Sequence, residues 1–199
     1  MIYKMNKIIL ASASPRRSQL LQTAEIEFET LIAPTDENYP GHLSPPEIAL
    51  HISLNKALEA QKKLAVQGNN VDAQTILAAD TIVVLENRII GKPTDREDAI
   101  KILLDLSGKT HKVITGVTIL SDKKTISFSE ETEVAFYEFS ADQIAYYVDH
   151  FKPYDKAGAY AIQEWIGVVG IRFIRGDFYN VMGLPVSRVI QELEKLNQK

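Results

Sequence analysis

A chain of 199 residues with 45% apolar and 24% charged side chains has an ordinary globular composition, which excludes a disordered tail protein and suits one large domain or two tightly fused lobes. The absence of cysteine excludes disulfide frameworks, thiolate zinc sites, iron–sulfur clusters and cysteine nucleophiles, so any metal must be held by oxygen or histidine. A formal net charge of −4 argues against a general nucleic-acid binder, and no apolar run approaches the roughly 20 residues that cross a bilayer.

The amino-terminal segment reaches an apolar run of only four residues, Ile8 to Ala11, short of the apolar region of a secretory signal, and this predicts a cytoplasmic protein. Between Met1 and Ala24 lie Lys4, Lys7, Arg16 and Arg17 and no acid; a small anion is the natural partner of such a patch. Lys7–Ser12 predicts a strand, and Pro15 followed by residues through Thr23 predicts a helix with Leu20 and Leu21 on its apolar stripe. Phe28–Ala33 reads as a second strand and Pro34–Leu43 as a polar, turn-rich connection. Ser44-Pro45-Pro46-Glu47 joins a capping box to early prolines and opens a long helix to about Val66.

Thr75–Leu85 is rich in β-branched residues and predicts a strand with a short return through Ile89 and Ile90. Thr94-Asp95-Arg96-Glu97 reads as a second capping box, with a helix through Leu106 that stops at Gly108. His111–Leu120 and Thr125–Glu138 predict a hairpin turning at 121–124. Ser140-Ala141-Asp142-Gln143 opens a helix that ends before Pro153, Ile166–Ile174 reads as the last strand, and Pro185 opens a terminal helix with Val186, Val189, Ile190, Leu193 and Leu196 along one stripe. Strands and helices alternate while the central hairpin argues against a purely parallel sheet, so the expected fold is a single domain over 1–199 built on a mixed α/β sheet.

Several stretches carry candidate chemistry. Ser12-Ala13-Ser14-Pro15-Arg16-Arg17 lies between strand and helix, where backbone N–H groups, two hydroxyls and two guanidiniums suit a phosphate; a plain Ser cap with Pro at the first helical position and solvated arginines is the competing reading. Asp80 stands inside an otherwise apolar strand, where an unpaired carboxylate is costly unless a metal, a cation or a donor meets it; the alternative is a strand-end turn cap. Asp36-Glu37 adds loop carboxylates that alone mean little. Gly91-Lys92-Pro93 holds a lysine on a sharply turned backbone, as suits a phosphate or an ordinary surface turn. Lys56 on the long helix and Lys156 add charge that only their company promotes. Gln163 donates and accepts at once, which suits a base edge. The four histidines are scattered, with no His-Glu-x-x-His or Gly-x-Ser-x-Gly motif, and are read as structural.

Taken together, Ser12–Arg17, Ala79-Asp80-Thr81, Gly91-Lys92-Pro93, Lys156–Tyr160 with Ile162-Gln163, and Gly183-Leu184-Pro185 resemble, in the same order and at similar spacing, the Maf-type nucleoside triphosphate pyrophosphatases. The resemblance implies an elongated twisted sheet flanked by helices with a substrate cleft between two lobes. It also implies a cytoplasmic, often homodimeric enzyme that needs a divalent cation, Mg²⁺ or Mn²⁺, and converts a nucleoside triphosphate to the monophosphate and pyrophosphate without stable nucleic-acid or membrane partners. Asp80 matches the family's catalytic acid–base residue. Arg16, Thr81 and Gln163 match the specificity positions of the branch acting on dTTP and UTP rather than 7-methyl-GTP. One departure stands beside them: Glu164-Trp165-Ile166 precede Gly167, where that branch carries Gly directly after the Gln.

On this resemblance Ser12, Arg17, Lys56, Lys92 and Lys156 are expected to meet the phosphates, Asp80 and Glu37 to hold the metal, and Asp80 to activate water. Two other readings compete: a nucleotide-sensing regulator of cell division that binds without hydrolysis, and an enzyme clearing damaged or modified nucleotides, including modified pyrimidines, more broadly.

Overall fold

The computed structural model describes residues 6–68, 74–121 and 124–197. In chain order these form β1 (Ile8–Leu10), α1 (Pro15–Thr23), β2 (Phe28–Thr30), α2 (Pro45–Val66), β3 (Thr75–Leu85), β4 (Arg88–Ile90) and α3 (Arg96–Leu106). There follow β5 (Thr110–Ser121), β6 (Lys124–Phe136), α4 (Ala141–Phe151), a 3₁₀ turn at Ala157–Ala159, α5 (Trp165–Gly170), β7 (Ile171–Arg175), α6 (Phe178–Val181) and α7 (Val186–Asn197). The strands make one seven-stranded sheet in the order β2-β1-β3-β5-β6-β7, with β4 paired to β3 off this path. β1 runs parallel to β2 and β3, whereas β4 on β3 and β7 on β6 are antiparallel. The mixed sheet expected from the alternation is therefore what the chain forms. β5 and β6 are neighbours, as a hairpin requires, while residues 122–123 at its expected turn lie outside the described residues.

The chain divides into two compact units, one of Met1–Asp80, Thr115–Glu130 and Gly183–Lys199, the other of Thr81–Ile114 and Glu131–Met182. In the first unit the long helix α2 begins as its sequence predicts: Pro45 follows Ser44, and the Glu47 carboxylate accepts from the Ser44 N–H at 2.8 Å and the Ser44 hydroxyl at 2.6 Å. Its inner face presents Ala57, Ala60 and Leu64 to Ile9, Ile76, Ala78 and Leu120 of three strands. Small residues let the helix sit close to the sheet. At Gly116 the two come so near that a Cβ would fall 2.3 Å from the Ala49 carbonyl carbon. Buried Ser53 then shares a hydrogen bond of 2.9 Å with Thr118 of β5, so helix and strand are tied by a polar contact as well as by packing. Lys56, three residues beyond Ser53, takes its position from this seat.

The second unit is organised by α3 and α4, which bury Ala99, Leu103 and Leu106 and Ile144, Tyr147 and Val148. An aromatic cluster of His111, Phe136, Phe139 and Tyr160 has ring centroids 5.0–5.4 Å apart. The Ser140 capping box forms as predicted, with the Ser140 N–H donating to Gln143 at 2.8 Å and the Gln143 N–H to Ser140 Oγ at 3.2 Å.

Two sequence expectations fail in this unit. The cap of α3 is Asp95, not Thr94: Asp95 Oδ1 accepts the Asp98 N–H at 2.9 Å and Asp98 Oδ2 accepts the Thr94 N–H at 3.0 Å. The ionised carboxylate is the stronger acceptor for a first-turn amide, so the box shifts by one residue. The strand expected over Ile166–Ile174 begins only at Ile171, because Trp165–Gly170 is helical. Glu164 caps that helix, its carbonyl accepting the Gly167 N–H at 2.9 Å and the Val168 N–H at 3.3 Å. The backbone also passes so close to Ile162 that a Cβ at Gly167 would lie 1.8 Å from the Ile162 carbonyl oxygen. Packing of this glycine overrides the β propensity of the surrounding Ile and Val residues.

Candidate active site

Asp80 lies in the interior of β3, with buried Ile76–Ala79 before it and buried Ile82–Leu85 after it. It is not a strand-end cap. Its carboxylate is met by a cation: Lys56 Nζ from α2 donates to Asp80 Oδ1 at 2.7 Å, and the same ammonium lies 2.7 Å from Glu37 Oε1. The Lys56 and Asp80 side chains are only 18% and 13% exposed, while Glu37, in the loop after β2, is 52% exposed. A carboxylate and an ammonium this far out of water are tolerated because each partners the other.

The loop between β1 and α1 supplies the second part of this unit's site. Arg17 is buried; its Nε donates to the Gly183 carbonyl at 2.8 Å and its Nη1 to Ser12 Oγ at 3.0 Å. Ser12 Oγ also accepts the Ser14 N–H at 3.2 Å, which closes the loop on itself ahead of Pro15. Burial draws the Arg17 guanidinium below its ordinary value; the charge of Asp80 opposes that shift, Arg16 adds to it and Glu37 opposes it. Asp80, Glu37 and both arginines therefore act within one electrostatic environment, and the reading of Arg17 as a solvated side chain fails.

In the second unit Lys156 is buried, with Nζ 2.7 Å from Asp155 Oδ1 and 3.7 Å from Glu164 Oε1. Glu164 Oε2 accepts a hydrogen bond from the Tyr147 hydroxyl. The Lys92 turn is joined to this segment through its backbone, since the Gly158 N–H donates to the Gly91 carbonyl at 3.0 Å. Lys92 and Gln163 have exposed side chains, and Thr81, half-buried, directly follows Asp80 in β3. Trp165 sits edge-on to Tyr146, with centroids 5.1 Å apart.

Sequence reasoning did not assign roles to Gly183, Glu164 or Tyr147. The Gly183 contact is made by a main-chain carbonyl, which carries no side-chain signal. Glu164 had one: it stands directly after Gln163, where the resembled branch carries Gly. Tyr147 is fully buried on the inner face of α4, where its spacing from Ile144 reads simply as core.

Among solved structures the chain resembles the Ham1 protein of Staphylococcus aureus, with a TM-score of 0.55 over 96% of this chain and all of that one at 14% identity, a likeness of fold alone. A family described as Maf-like protein matches residues 7–196, and the chain belongs to that family. It is 51% identical over 95% of its length to a dTTP/UTP pyrophosphatase of Cytophaga hutchinsonii, covering 84% of that protein. It is 47% identical to one from Parabacteroides distasonis, with 96% of each chain covered, and 45% identical to one from Bacillus anthracis, with 97% of each covered. No helix among the described residues is long and apolar enough to cross a membrane.

Proposed function

We propose that this protein is a nucleoside triphosphate pyrophosphatase that hydrolyses dTTP and UTP to the monophosphate and pyrophosphate. Its membership of the Maf-like family and the names of its relatives support the reaction class. The observation that carries the chemistry is the Lys56 ammonium held 2.7 Å from both Asp80 and Glu37. It joins two carboxylates at one cationic point, in a unit that also buries Arg17.

In this reading Asp80 orients a water molecule towards the α-phosphorus and accepts its proton as the new oxygen–phosphorus bond forms. The bond from the α-phosphorus to the bridging oxygen breaks, and pyrophosphate leaves with the electron pair. Ser12, Arg17, Lys56, Lys92 and Lys156 supply the hydroxyl and the positive charges that phosphate oxygens require. The work is positioning and charge stabilisation, as in phosphoryl transfer generally. Arg16, Thr81 and Gln163 select the base.

Asp80 and Glu37, whose carboxylates lie close enough to share the Lys56 ammonium, are the residues that would hold Mg²⁺ or Mn²⁺, since such ions take one or two protein carboxylates and complete their shell with substrate oxygens and water. When bound, the ion neutralises phosphate charge and polarises the reacting phosphoryl group.

Incubating the purified protein with Mg²⁺ and, separately, dTTP, UTP and 7-methyl-GTP tests this reading. The expected products are dTMP or UMP with equimolar pyrophosphate, formed about tenfold or more faster than product from 7-methyl-GTP. Nucleotide binding without a monophosphate product overturns the hydrolase reading in favour of a sensor, and faster turnover of 7-methyl-GTP overturns the pyrimidine preference.

A further inference from the structure

The second unit contains a relay whose last member is the Lys156 ammonium. Tyr147 is fully buried; its hydroxyl accepts the Ala161 N–H at 3.1 Å and donates to Glu164 Oε2. The backbone of Glu164 is held at both ends: its N–H donates to the Ala161 carbonyl at 3.1 Å and its carbonyl accepts from Gly167 and Val168 at the start of α5. With main chain and one carboxylate oxygen fixed, the other oxygen, Oε1, faces Lys156 Nζ at 3.7 Å.

Lys156 donates a hydrogen bond to Asp155 Oδ1 at 2.7 Å and lies 3.7 Å from Glu164, but the two acids are not equivalent. The Asp155 side chain is 57% exposed and Glu164 22% exposed, so water screens the first pair far more than the second. A lysine on a four-carbon stem has many rotamers, and Glu164, held by the Tyr147 hydroxyl and by its own backbone, limits them from the less exposed side. A purely structural role gives little reason for such an arrangement, because apolar groups of similar volume stabilise a fold at least as well as a buried ion pair.

We propose that Glu164 is a positioning residue for substrate recognition, locked by Tyr147 and aiming the Lys156 ammonium at the polyphosphate. This rests on the preceding reading, in which Lys156 meets phosphate. Glu164 acts through Lys156, and Tyr147 acts through Glu164.

The test is a double-mutant cycle read both in kinetics and in binding. Glu164→Gln keeps the side-chain shape and removes its charge, and it is expected to raise KM for dTTP about tenfold with kcat changed less than about threefold. Tyr147→Phe is expected to act in the same direction with a smaller effect. In a Lys156→Met background, Glu164→Gln is expected to add less than about twofold. An unchanged KM in Glu164→Gln overturns the proposal, as does the same tenfold loss in both backgrounds, because a structural defect does not require the lysine. The same cycle is measured as Kd for a non-hydrolysable dTTP analogue by calorimetry. If the wild type binds the analogue but turns over no nucleotide, the hydrolase reading fails and the Kd cycle still decides the role of Glu164; if the wild type binds no nucleotide, both fail.

Discussion

The two units hold their charged groups by different means. In the first, Asp80 comes from the middle of an eleven-residue strand and Lys56 from a 22-residue helix seated on the sheet at Gly116, so regular structure fixes the acid–lysine pair. In the second, Lys156 and Gln163 lie on irregular chain between α4 and α5, where Glu164, which accepts from buried Tyr147, faces the Lys156 ammonium. A group that takes a proton in a transition state needs the more rigid mounting, whereas groups that recognise a ligand can be carried on a fastened loop. The contrast predicts that loss of Asp80 lowers kcat, whereas loss of Lys156 or of the residues that support it raises KM.

The largest expected effect breaks the first half of that statement if it fails to appear. Asp80→Asn is nearly isosteric, and its carboxamide oxygen can still accept from Lys56. Turnover should nonetheless fall by on the order of a hundredfold or more, while Kd for the dTTP analogue stays within about threefold. Equal losses in kcat and affinity would place Asp80 among the binding groups instead.

A second prediction separates the cores. His111 is 1% exposed beside Tyr160, its Nε2 and the Tyr160 hydroxyl 2.7 Å apart, and burial lowers its pKa to about 4. Below the ordinary imidazole value of about 6.5 the unfolded chain takes up a proton that the folded chain refuses until about pH 4. Stability from this group is therefore complete above pH 6.5 and is lost as pH falls towards 4, by at most about 3 kcal/mol. Denaturant melts across that range should show the loss in the wild type and a flatter profile in His111→Gln; parallel profiles would remove His111 from the cause. Hydrogen exchange should show the second unit's amides opening first as the pH is lowered.

The smallest effect concerns base selection. Gln163 is exposed, so Gln163→Ala should leave the thermal midpoint within error and reduce the preference for dTTP over 7-methyl-GTP by about tenfold, the size expected for lost hydrogen bonds to a base edge. An unchanged ratio of kcat/KM values would move base recognition to Arg16 and Thr81.

Much of this was legible in the amino-acid sequence. The Ser44 and Ser140 boxes start α2 and α4 where written, Pro15 starts α1, and the β-branched run Thr75–Leu85 forms β3 with its acid in mid-strand. These are local signals, and local physics decided them. What was not legible depended on distant partners. Ile166–Gly170 has the residues of a strand, but Gly167 packing on the Ile162 carbonyl and the Glu164 cap make it helical. Lys56 on its helix looked like any solvated lysine until α2 was laid against β3. Nothing in the spacing of Tyr147 and Glu164 reveals that a hydroxyl on one helix reaches a carboxylate at the start of another.

The most direct test of the whole account is hydrolysis of dTTP in ¹⁸O-labelled water with the products analysed by mass spectrometry. Attack on the α-phosphorus by a water molecule that Asp80 directs places one label in dTMP and none in pyrophosphate. Label in the pyrophosphate, or formation of dTDP and inorganic phosphate, would contradict it.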